Sequence, residues 1–193
     1  NKKSKWITNE RTQRLVHLLR SKNDCIFSTS KSINKDNSLL NCRIDGLNNL
    51  KPDLFIIDIN LKLKDSLSIN YQANKRKIFL ITAKDNKKKI NILRKKGFKI
   101  IVIKSLNSKN DFIKIFKYVY NLGYCRVFFE AGLTFLNSLL KYTLINNLYV
   151  FKSNKMLKNN GFNNSSSKYL RKITLNKETI INLNNDTLYI KEF

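Results

Sequence analysis

Several of the residues and motifs that mark familiar enzyme sites are missing from this chain. His17 is its only histidine, so a serine triad is implausible. Its five glycines are dispersed and form neither a G-x-G-x-x-G fingerprint nor a Walker loop. The zinc-deaminase signature, H-x-E followed by P-C-x-x-C, is absent too. We therefore expect no Rossmann-type phosphate loop, no P-loop, no zinc deaminase and no metal site within these residues.

Cysteines are few, and long apolar runs are lacking. Cys25, Cys42 and Cys125 are widely spaced without a C-x-x-C pair, which is typical of reduced cysteines in a cytoplasmic protein. No apolar run approaches the roughly eighteen residues that a membrane span needs, and no signal peptide opens the chain. The length of 193 residues fits one domain. Because the chain starts at Asn1 rather than Met, we expect it to be a piece of a longer protein.

Acidic residues are scarce, and the 38 Lys and Arg against 13 Asp and Glu give a formal charge of +25. Such a charge is compatible with binding to nucleic acid or an anionic membrane. However, Lys outnumbers Arg by 30 to 8 and is scattered along the whole chain, and the RNP pattern of RNA-binding sheets is missing. We favour a solvated lysine surface with no specific nucleic acid and no membrane as partner. A phosphorylated substrate and a dinucleotide would still benefit from the positive field.

Unbroken apolar runs indicate the fold class. Residues 54–59, 78–81 and 100–103 have the length and composition of strands buried on both faces of a parallel sheet. Further elements are expected as strands at 25–28 and 126–129 and as helices at 10–20, 87–95, 109–122 and 133–141. Residues 34–43 are predicted to form a polar loop and residues 158–168 a mobile surface loop. Strands at 148–151 and 188–190 have an antiparallel character. The pattern predicts an α/β domain with a mostly parallel central sheet, flanking helices and antiparallel closing strands.

The best candidate site on physical grounds is Glu130-Ala131-Gly132, where an apolar strand ends at a carboxylate and a helix follows. Small residues let a ligand approach the backbone, and a helix N-terminus favours phosphate. Ligands of open α/β sheets bind beyond the carboxyl ends of the strands. From the residues alone, a plain strand-to-helix turn with an exposed glutamate is equally compatible.

Two separated motifs carry a family resemblance. The first starts at Trp6-Ile7-Thr8, continues through Val16-His17-Leu18-Leu19-Arg20 and ends in the loop with Leu39-Leu40-Asn41-Cys42-Arg43. The second is Phe129-Glu130-Ala131-Gly132-Leu133-Thr134. In this order they resemble the reductase domain of the bacterial bifunctional riboflavin-biosynthesis deaminase/reductase, which has an E-[AG]-G-P-T motif at the second position. The resemblance is dense over residues 4–43 and 126–150 and only architectural elsewhere.

The resemblance implies a dihydrofolate-reductase-like domain that reduces 5-amino-6-(5-phosphoribosylamino)uracil with NADPH to the 5-phosphoribitylamino product. The family's site, carried over, places five residues on the phosphoribosylaminouracil substrate: Ser4, Arg20, Leu40, Arg43 and Glu130. It places ten on the cofactor: Trp6, Ser32, Asp36, Gly132, Leu133, Thr134, Phe135, Leu136, Asn137 and Ser138. Arg20 and Arg43 make chemical sense as forks for the substrate phosphate. His17 is expected to be a half-exposed helix residue without a role, and the proton donor stays unassigned.

The chain departs from the family pattern at several positions, which bears on catalytic competence. They are Asn37 in the polar loop, Ile59 after the strand aspartate, and Asn146 and Asn147 before the closing strand. The family's leading strand is absent, so residues 1–193 are expected to form a single reductase domain without its first strand, with any deaminase upstream. A homodimer and a fused or separate deaminase remain open as partners. The alternatives are a same-fold reductase of another pterin or pyrimidine, and a non-catalytic basic nucleic-acid-binding protein.

Overall fold

A computed structural model describes residues 7–47, 52–155, 169–175 and 179–193. The chain divides into two compact units, each described here by itself. One is continuous and comprises His17–Gly132, and the other combines Asn1–Val16 with Leu133–Phe193. The prediction of a single domain without its leading strand stays a prediction.

The continuous unit contains a five-stranded parallel sheet with the strand order β4-β3-β2-β1-β5. Its strands are β1 (Cys25–Thr29), β2 (Asp53–Ile57), β3 (Ile78–Thr82), β4 (Phe98–Val102) and β5 (Val127–Phe129). The central strands β1, β2 and β3 are almost completely buried, as their unbroken apolar sequences predict. The sheet therefore confirms the predicted parallel core.

Five α-helices lie within the described ranges: α1 (Glu10–Ser21), α2 (Ser30–Asp36), α3 (Lys87–Lys95), α4 (Lys109–Asn121) and α5 (Leu133–Lys141). Short 3-10 turns cover Ser68–Gln72 and Leu170–Lys172. Local capping explains several starts: Asn86 accepts from the backbone N–H of Lys89, and Ser108 forms a reciprocal capping box with Asp111. None of the helices in these ranges has the length and apolar character that crossing a membrane requires.

Aromatic stacking organises one face of the parallel sheet. Phe27, Phe55 and Phe79 occupy matching positions on β1, β2 and β3, with ring centroids 4.8 and 4.3 Å apart. Tyr124 meets Phe55 and Phe79 edge-on. Aliphatic side chains such as Ile26 alternate with these rings along the strands and belong to a second buried cluster. Burying each such side chain stabilises the fold by roughly 1.5–3 kcal/mol.

The second unit contains an antiparallel sheet with the order β6-β8-β7. Its strands are β6 (Asn147–Ser153), β7 (Thr179–Leu183) and β8 (Asp186–Glu192). Asp186 is 1% exposed and accepts hydrogen bonds at 2.7 Å from the backbone N–H of Asn9 and the hydroxyl of Thr12. This carboxylate ties the start of α1 to the first residue of β8.

The predicted fold class is confirmed, and the differences are local. Residues 34–36, predicted to start a polar loop, form the last turn of α2, and the loop follows them. Asn37 ends α2 in a left-handed conformation with φ of 47°, a role that asparagine fills better than most residues. Strand β7 has no counterpart in the prediction. The surface loop predicted at 158–168 lies outside the described residues.

Candidate active site

The predicted substrate residues Arg20 and Glu130 meet at the carboxyl end of β5. Glu130 follows the last residue of that strand, and its backbone N–H continues the ladder by donating to the carbonyl of Phe27 at 2.8 Å. Arg20 lies in the last turn of α1. The fold therefore brings together two residues that are 110 positions apart in the sequence.

Arg20 and Glu130 form a bidentate ion pair. Nε donates to Oε2 at 2.8 Å and Nη2 donates to Oε1 at 2.6 Å. The side chains are 10% and 31% exposed, so the guanidinium is nearly buried while the carboxylate still reaches solvent. Nη1 of Arg20 donates to the carbonyl of Asn41 at 2.9 Å. Since most donors of Arg20 are used within the protein, this geometry favours Arg20 as a holder of Glu130, and its predicted contact with the substrate phosphate stays a prediction.

Arg43 and Leu40 belong to the segment 38–43, which lies in the connection between α2 and β2. It is called the substrate loop here after the predicted role of these two residues. Arg43 is exposed, and its Nη1 donates to the side-chain oxygen of Asn41 at 2.6 Å. Partial burial and the like charge of Arg20 lower the pKa of Arg43. Leu40 is 3% exposed and packs in the aliphatic cluster, so almost none of its surface faces solvent, and its predicted substrate contact stays a prediction.

His17, to which the sequence assigned no role, lies at the centre of this group. Its Nδ1 is 3.0 Å from the carbonyl oxygen of Asn41, 3.2 Å from the backbone nitrogen of Arg43 and 3.4 Å from Nη1 of Arg20. A proton on Nδ1 would be donated to Asn41, whereas an unprotonated Nδ1 accepts from Arg43. Burial, followed by the charges of Arg20 and Arg43, lowers the pKa of His17. The i, i+3 spacing of His17 and Arg20 is the one sequence signal that could have linked them.

Two predicted cofactor residues, Ser32 and Gly132, also come together. A Cβ placed on Gly132 would lie 3.7 Å from the hydroxyl oxygen of Ser32. Ser32 is in the first turn of α2, where Thr29 caps the helix by accepting from the Ser32 N–H. Asp36 lies one turn further along α2, so the Ser32 and Asp36 side chains share a face of the helix. Neither α2 nor α5 has an acidic residue in its first turn.

The remaining cofactor candidates follow Gly132 along α5, in the second unit. Phe135 is buried, Thr134 is exposed, and the others of this stretch, namely Leu133, Leu136, Asn137 and Ser138, are partly exposed. Phe135 is therefore an interior residue, and its predicted cofactor contact stays a prediction. Ser4 and Trp6 lie outside the described residues, so their predicted roles stay predictions.

No group of histidine, cysteine and carboxylate side chains suited to a metal ion occurs among the described residues. A cavity of about 640 Å³ is present at the carboxyl ends of β2 and β3. Its lining includes Asn60, Leu61, Lys84 and Lys89 but none of the predicted site residues. The Arg20–Glu130 group is the better candidate site, because its charged side chains are largely withdrawn from solvent and bonded to each other. The cavity is instead lined in part by exposed lysines.

Comparison with known proteins identifies relatives over most of the chain. The family described as RibD C-terminal domain matches residues 1–185. A protein of Buchnera aphidicola (Acyrthosiphon pisum) named 5-amino-6-(5-phosphoribosylamino)uracil reductase is 30% identical over 81% of this chain and 78% of its own length. Riboflavin biosynthesis proteins RibD of Buchnera aphidicola (Baizongia pistaciae) and Aquifex aeolicus are 28% and 27% identical. The match covers 45% and 41% of their lengths, so this chain spans less than half of each.

Solved structures share the fold. RibD of Acinetobacter baumannii superposes with a TM-score of 0.76 at 19% identity, over 98% of this chain and 52% of that one. The riboflavin biosynthesis reductase Rib7 of Saccharomyces cerevisiae gives a TM-score of 0.75 at 19% identity, over 95% and 81%. These likenesses confirm the predicted dihydrofolate-reductase-like architecture.

We expect the substitution His17→Gln to remove a pH dependence of stability. The pKa of His17 is lower in the folded protein than its ordinary value of 6.5, so the unfolded chain binds more protons as the pH falls below 6.5. The free energy of unfolding should be constant above that pH and decrease below it. The slope should stay well below the limit of about 1.4 kcal/mol per pH unit for one proton, because solvent screens the ring.

Urea unfolding of wild type and His17→Gln at pH values on either side of 6.5 measures this difference. Glutamine can both donate and accept hydrogen bonds, but it does not titrate. Because the chain has no other histidine, no second imidazole titrates in this pH range. A variant with the same slope as the wild type would contradict the assignment of the slope to His17.

Proposed function

Because the chain belongs to the family of RibD C-terminal domains, we propose that it reduces 5-amino-6-(5-phosphoribosylamino)uracil with NADPH in riboflavin biosynthesis. The product is the 5-phosphoribitylamino compound. The observation that carries the proposal is the group formed by Arg20, Glu130 and Arg43 at the carboxyl end of β5. In this group the carboxylate of Glu130 can accept hydrogen bonds from N–H groups of the substrate, and the guanidinium of Arg43 can bind the substrate phosphate.

Glu130 is suited to hold the pyrimidine. A carboxylate has about four acceptor positions, of which Arg20 occupies two. The others remain for N–H groups of the pyrimidine ring and its amino substituent. The bidentate contact from Arg20 fixes the plane of the carboxylate, so the orientation of the ring is set before it binds.

Arg43 is suited to hold the phosphate of the substrate. It is exposed, and only Nη1 has a protein acceptor within the described part of the chain, so Nε and Nη2 remain available. The nearby Arg20 makes the local potential more positive, and this repulsion, after partial burial, lowers the pKa of Arg43; an anion bound there would relieve the repulsion. Arg20 thus contributes through Glu130 and through its charge.

The residues around Gly132 fit a dinucleotide such as NADPH. Gly132 leaves open the space that a side chain would occupy next to Ser32, and it does so at the start of α5, whose first turn carries no carboxylate. The positive end of the helix dipole favours phosphate. When bound, NADPH would supply hydride for C1 of the ribose opened as an imine. The protein's part is to orient the two molecules through Glu130, Arg43 and Gly132 and to exclude water.

The partners and location follow from the same proposal. The RibD relatives are more than twice as long as the part that matches this chain, and one solved structure of similar fold is named a deaminase/reductase. These observations support a reductase that works with a deaminase, either fused or separate. Cys25, Cys42 and Cys125 are free, and burial raises the pKa of the Cys25 thiol to about 12, which keeps it unreactive. We place the protein in the cytoplasm on the basis of these unpaired cysteines. The homodimer remains a prediction.

The direct test is turnover. Purified protein mixed with NADPH and 5-amino-6-(5-phosphoribosylamino)uracil should consume NADPH and form the 5-phosphoribitylamino product. Mass spectrometry identifies this product by its two additional hydrogens. NADH should be a poorer donor, because the 2′-phosphate adds negative charge in a strongly positive field. Faster consumption with another pyrimidine or with a pterin would reassign the substrate, and no consumption with any of them would contradict the reductase.

Removing Arg43 should impair substrate binding selectively. A charge-assisted hydrogen bond contributes about 1.5–3 kcal/mol, so Arg43→Ala should raise KM for the substrate or lower kcat/KM by roughly ten- to a hundred-fold. KM for NADPH should change little. Arg126→Ala is the matched control, since Arg126 is also an exposed arginine with one polar partner, Asp24, but precedes β5 at the opposite end of the sheet. Equal effects of the two variants would refute the phosphate role.

Adding one methyl group at Gly132 should impair the cofactor. Gly132→Ala is expected to fold normally, because the new Cβ would make only an ordinary contact with Ser32 and no positive φ is involved. KM for NADPH should rise about tenfold, equivalent to roughly 1.4 kcal/mol. Gly123→Ala is a control for lost stability. Because Gly123 has φ of 93°, alanine at this position should destabilise the fold without changing KM for NADPH or for the substrate. An unchanged cofactor KM in Gly132→Ala would place the cofactor elsewhere.

A further inference from the structure

The substrate loop holds its shape without backbone pairing. No backbone–backbone hydrogen bond joins residues 38–43 to any part of the chain that the structure describes. Instead, its peptide groups bond to side chains: Asn41 and Arg43 to His17 and Arg20, and the preceding carbonyls to Arg76. The position of Arg43 therefore depends on side chains outside the loop.

Arg76 makes the buried half of these contacts. It lies two residues before β3 and is 7% exposed. Nη1 donates to the carbonyls of Leu40 at 2.7 Å and Pro52 at 2.9 Å, and Nη2 donates to the carbonyl of Leu39. Within the described ranges no carboxylate lies at ion-pair distance from this guanidinium, and its Nε has no partner. A buried cation without an ion-pair partner is costly, and its hydrogen bonds to three carbonyls offset part of that cost.

Two of the three carbonyls that Arg76 holds, those of Leu39 and Leu40, lie at a strained point of the substrate loop. Leu40 has φ of 50°, in the left-handed region that costs a non-glycine residue roughly 1–2 kcal/mol. Its side chain is fixed in the aliphatic cluster while its carbonyl is fixed by Arg76. Because both ends of Leu40 are anchored, the direction in which the chain continues to Asn41 and Arg43 is determined.

We propose that Arg76 is a positioning residue of the active site, which fixes the substrate loop so that Arg43 lies beside Arg20 and Glu130. The inference rests on the proposed function of that group. Burial lowers the pKa of Arg76 to about 10, so the guanidinium remains charged at neutral pH and its bonds to the three carbonyls are charge-assisted. Planar geometry matters as much as charge, because one fork reaches two separate segments of the chain.

Two variants separate the parts of this role. Arg76→Met removes all three hydrogen bonds and the charge, whereas Arg76→Lys keeps the charge but not the fork. Val119→Ala is the control for lost stability, since Val119 is 1% exposed on α4 of the same unit and has no hydrogen bond to these groups in the described part of the chain. For each protein, KM for both substrates, kcat, the melting temperature and hydrogen exchange of the amides of residues 39–43 are measured.

We expect Arg76→Met to raise KM for the phosphoribosyl substrate about tenfold, Arg76→Lys to raise it less, and KM for NADPH to stay within about twofold of the wild type. Exchange of the Arg43 amide, which donates to His17, should accelerate in both variants. Val119→Ala should lower the melting temperature while leaving KM and loop exchange unchanged.

Arginine variants that lose stability but keep wild-type substrate KM and loop exchange would overturn the proposal. Failure of both to fold where Val119→Ala folds would assign Arg76 to folding alone and overturn it as well. A wild type without turnover would instead contradict the proposed function, and loop exchange would then decide by itself whether Arg76 fixes the loop.

Discussion

The ion pair between Arg20 and Glu130 is the interaction on which the site depends. It fixes the last turn of α1 against the carboxyl end of β5, and the same guanidinium holds the carbonyl of Asn41. Removing water from two charges is unfavourable, and a nearly buried pair often contributes little net stability. Its value here is geometric: one planar group sets the orientation of a carboxylate and the position of a loop that the backbone alone would leave undetermined.

Acidic residues are scarce, and several of them accept hydrogen bonds that hold the backbone in place. With only 13 of them against 38 cations, several are used as anchors for backbone N–H groups. Asp58, 2% exposed, accepts from the amides of Lys62 and Leu63 and from a serine hydroxyl. Asp111 accepts from the amides of Asn107 and Ser108, and these bonds lower its pKa to about 2. The excess of lysine therefore remains on the surface, where it raises the potential felt by anionic ligands.

The sequence predicted elements where short apolar runs or helical periodicity are clear. Strands β1 to β4 each contain a short apolar run, α3, α4 and α5 have apolar periodicity, and α3 and α4 also have side-chain caps, so all were predictable. Helix α2 has seven mostly polar residues and depends on the cap by Thr29, and β7 is an exposed edge strand, so neither has a periodic signal. The family motifs selected Arg20 and Glu130, but no sequence pattern indicates that they bind each other.

Residues that act through tertiary contacts were the hardest to foresee. Arg76 belongs to no motif, and its role is visible only because the fold brings three carbonyls around it. Leu40 matched a motif, yet the position of its side chain in the core follows from a left-handed φ that sequence does not predict for leucine.

The presence of one histidine in the whole chain, at the centre of the site, gives the protein a built-in spectroscopic probe. In a proton NMR spectrum the imidazole of His17 would produce isolated resonances that need no isotope labelling and no assignment. Burial and then the charges of Arg20 and Arg43 lower the pKa of this ring, and an anion bound at Arg43 would offset the contribution of the charges, so the titration curve would move to higher pH. Occupancy of the proposed phosphate position could thus be followed in the absence of any turnover.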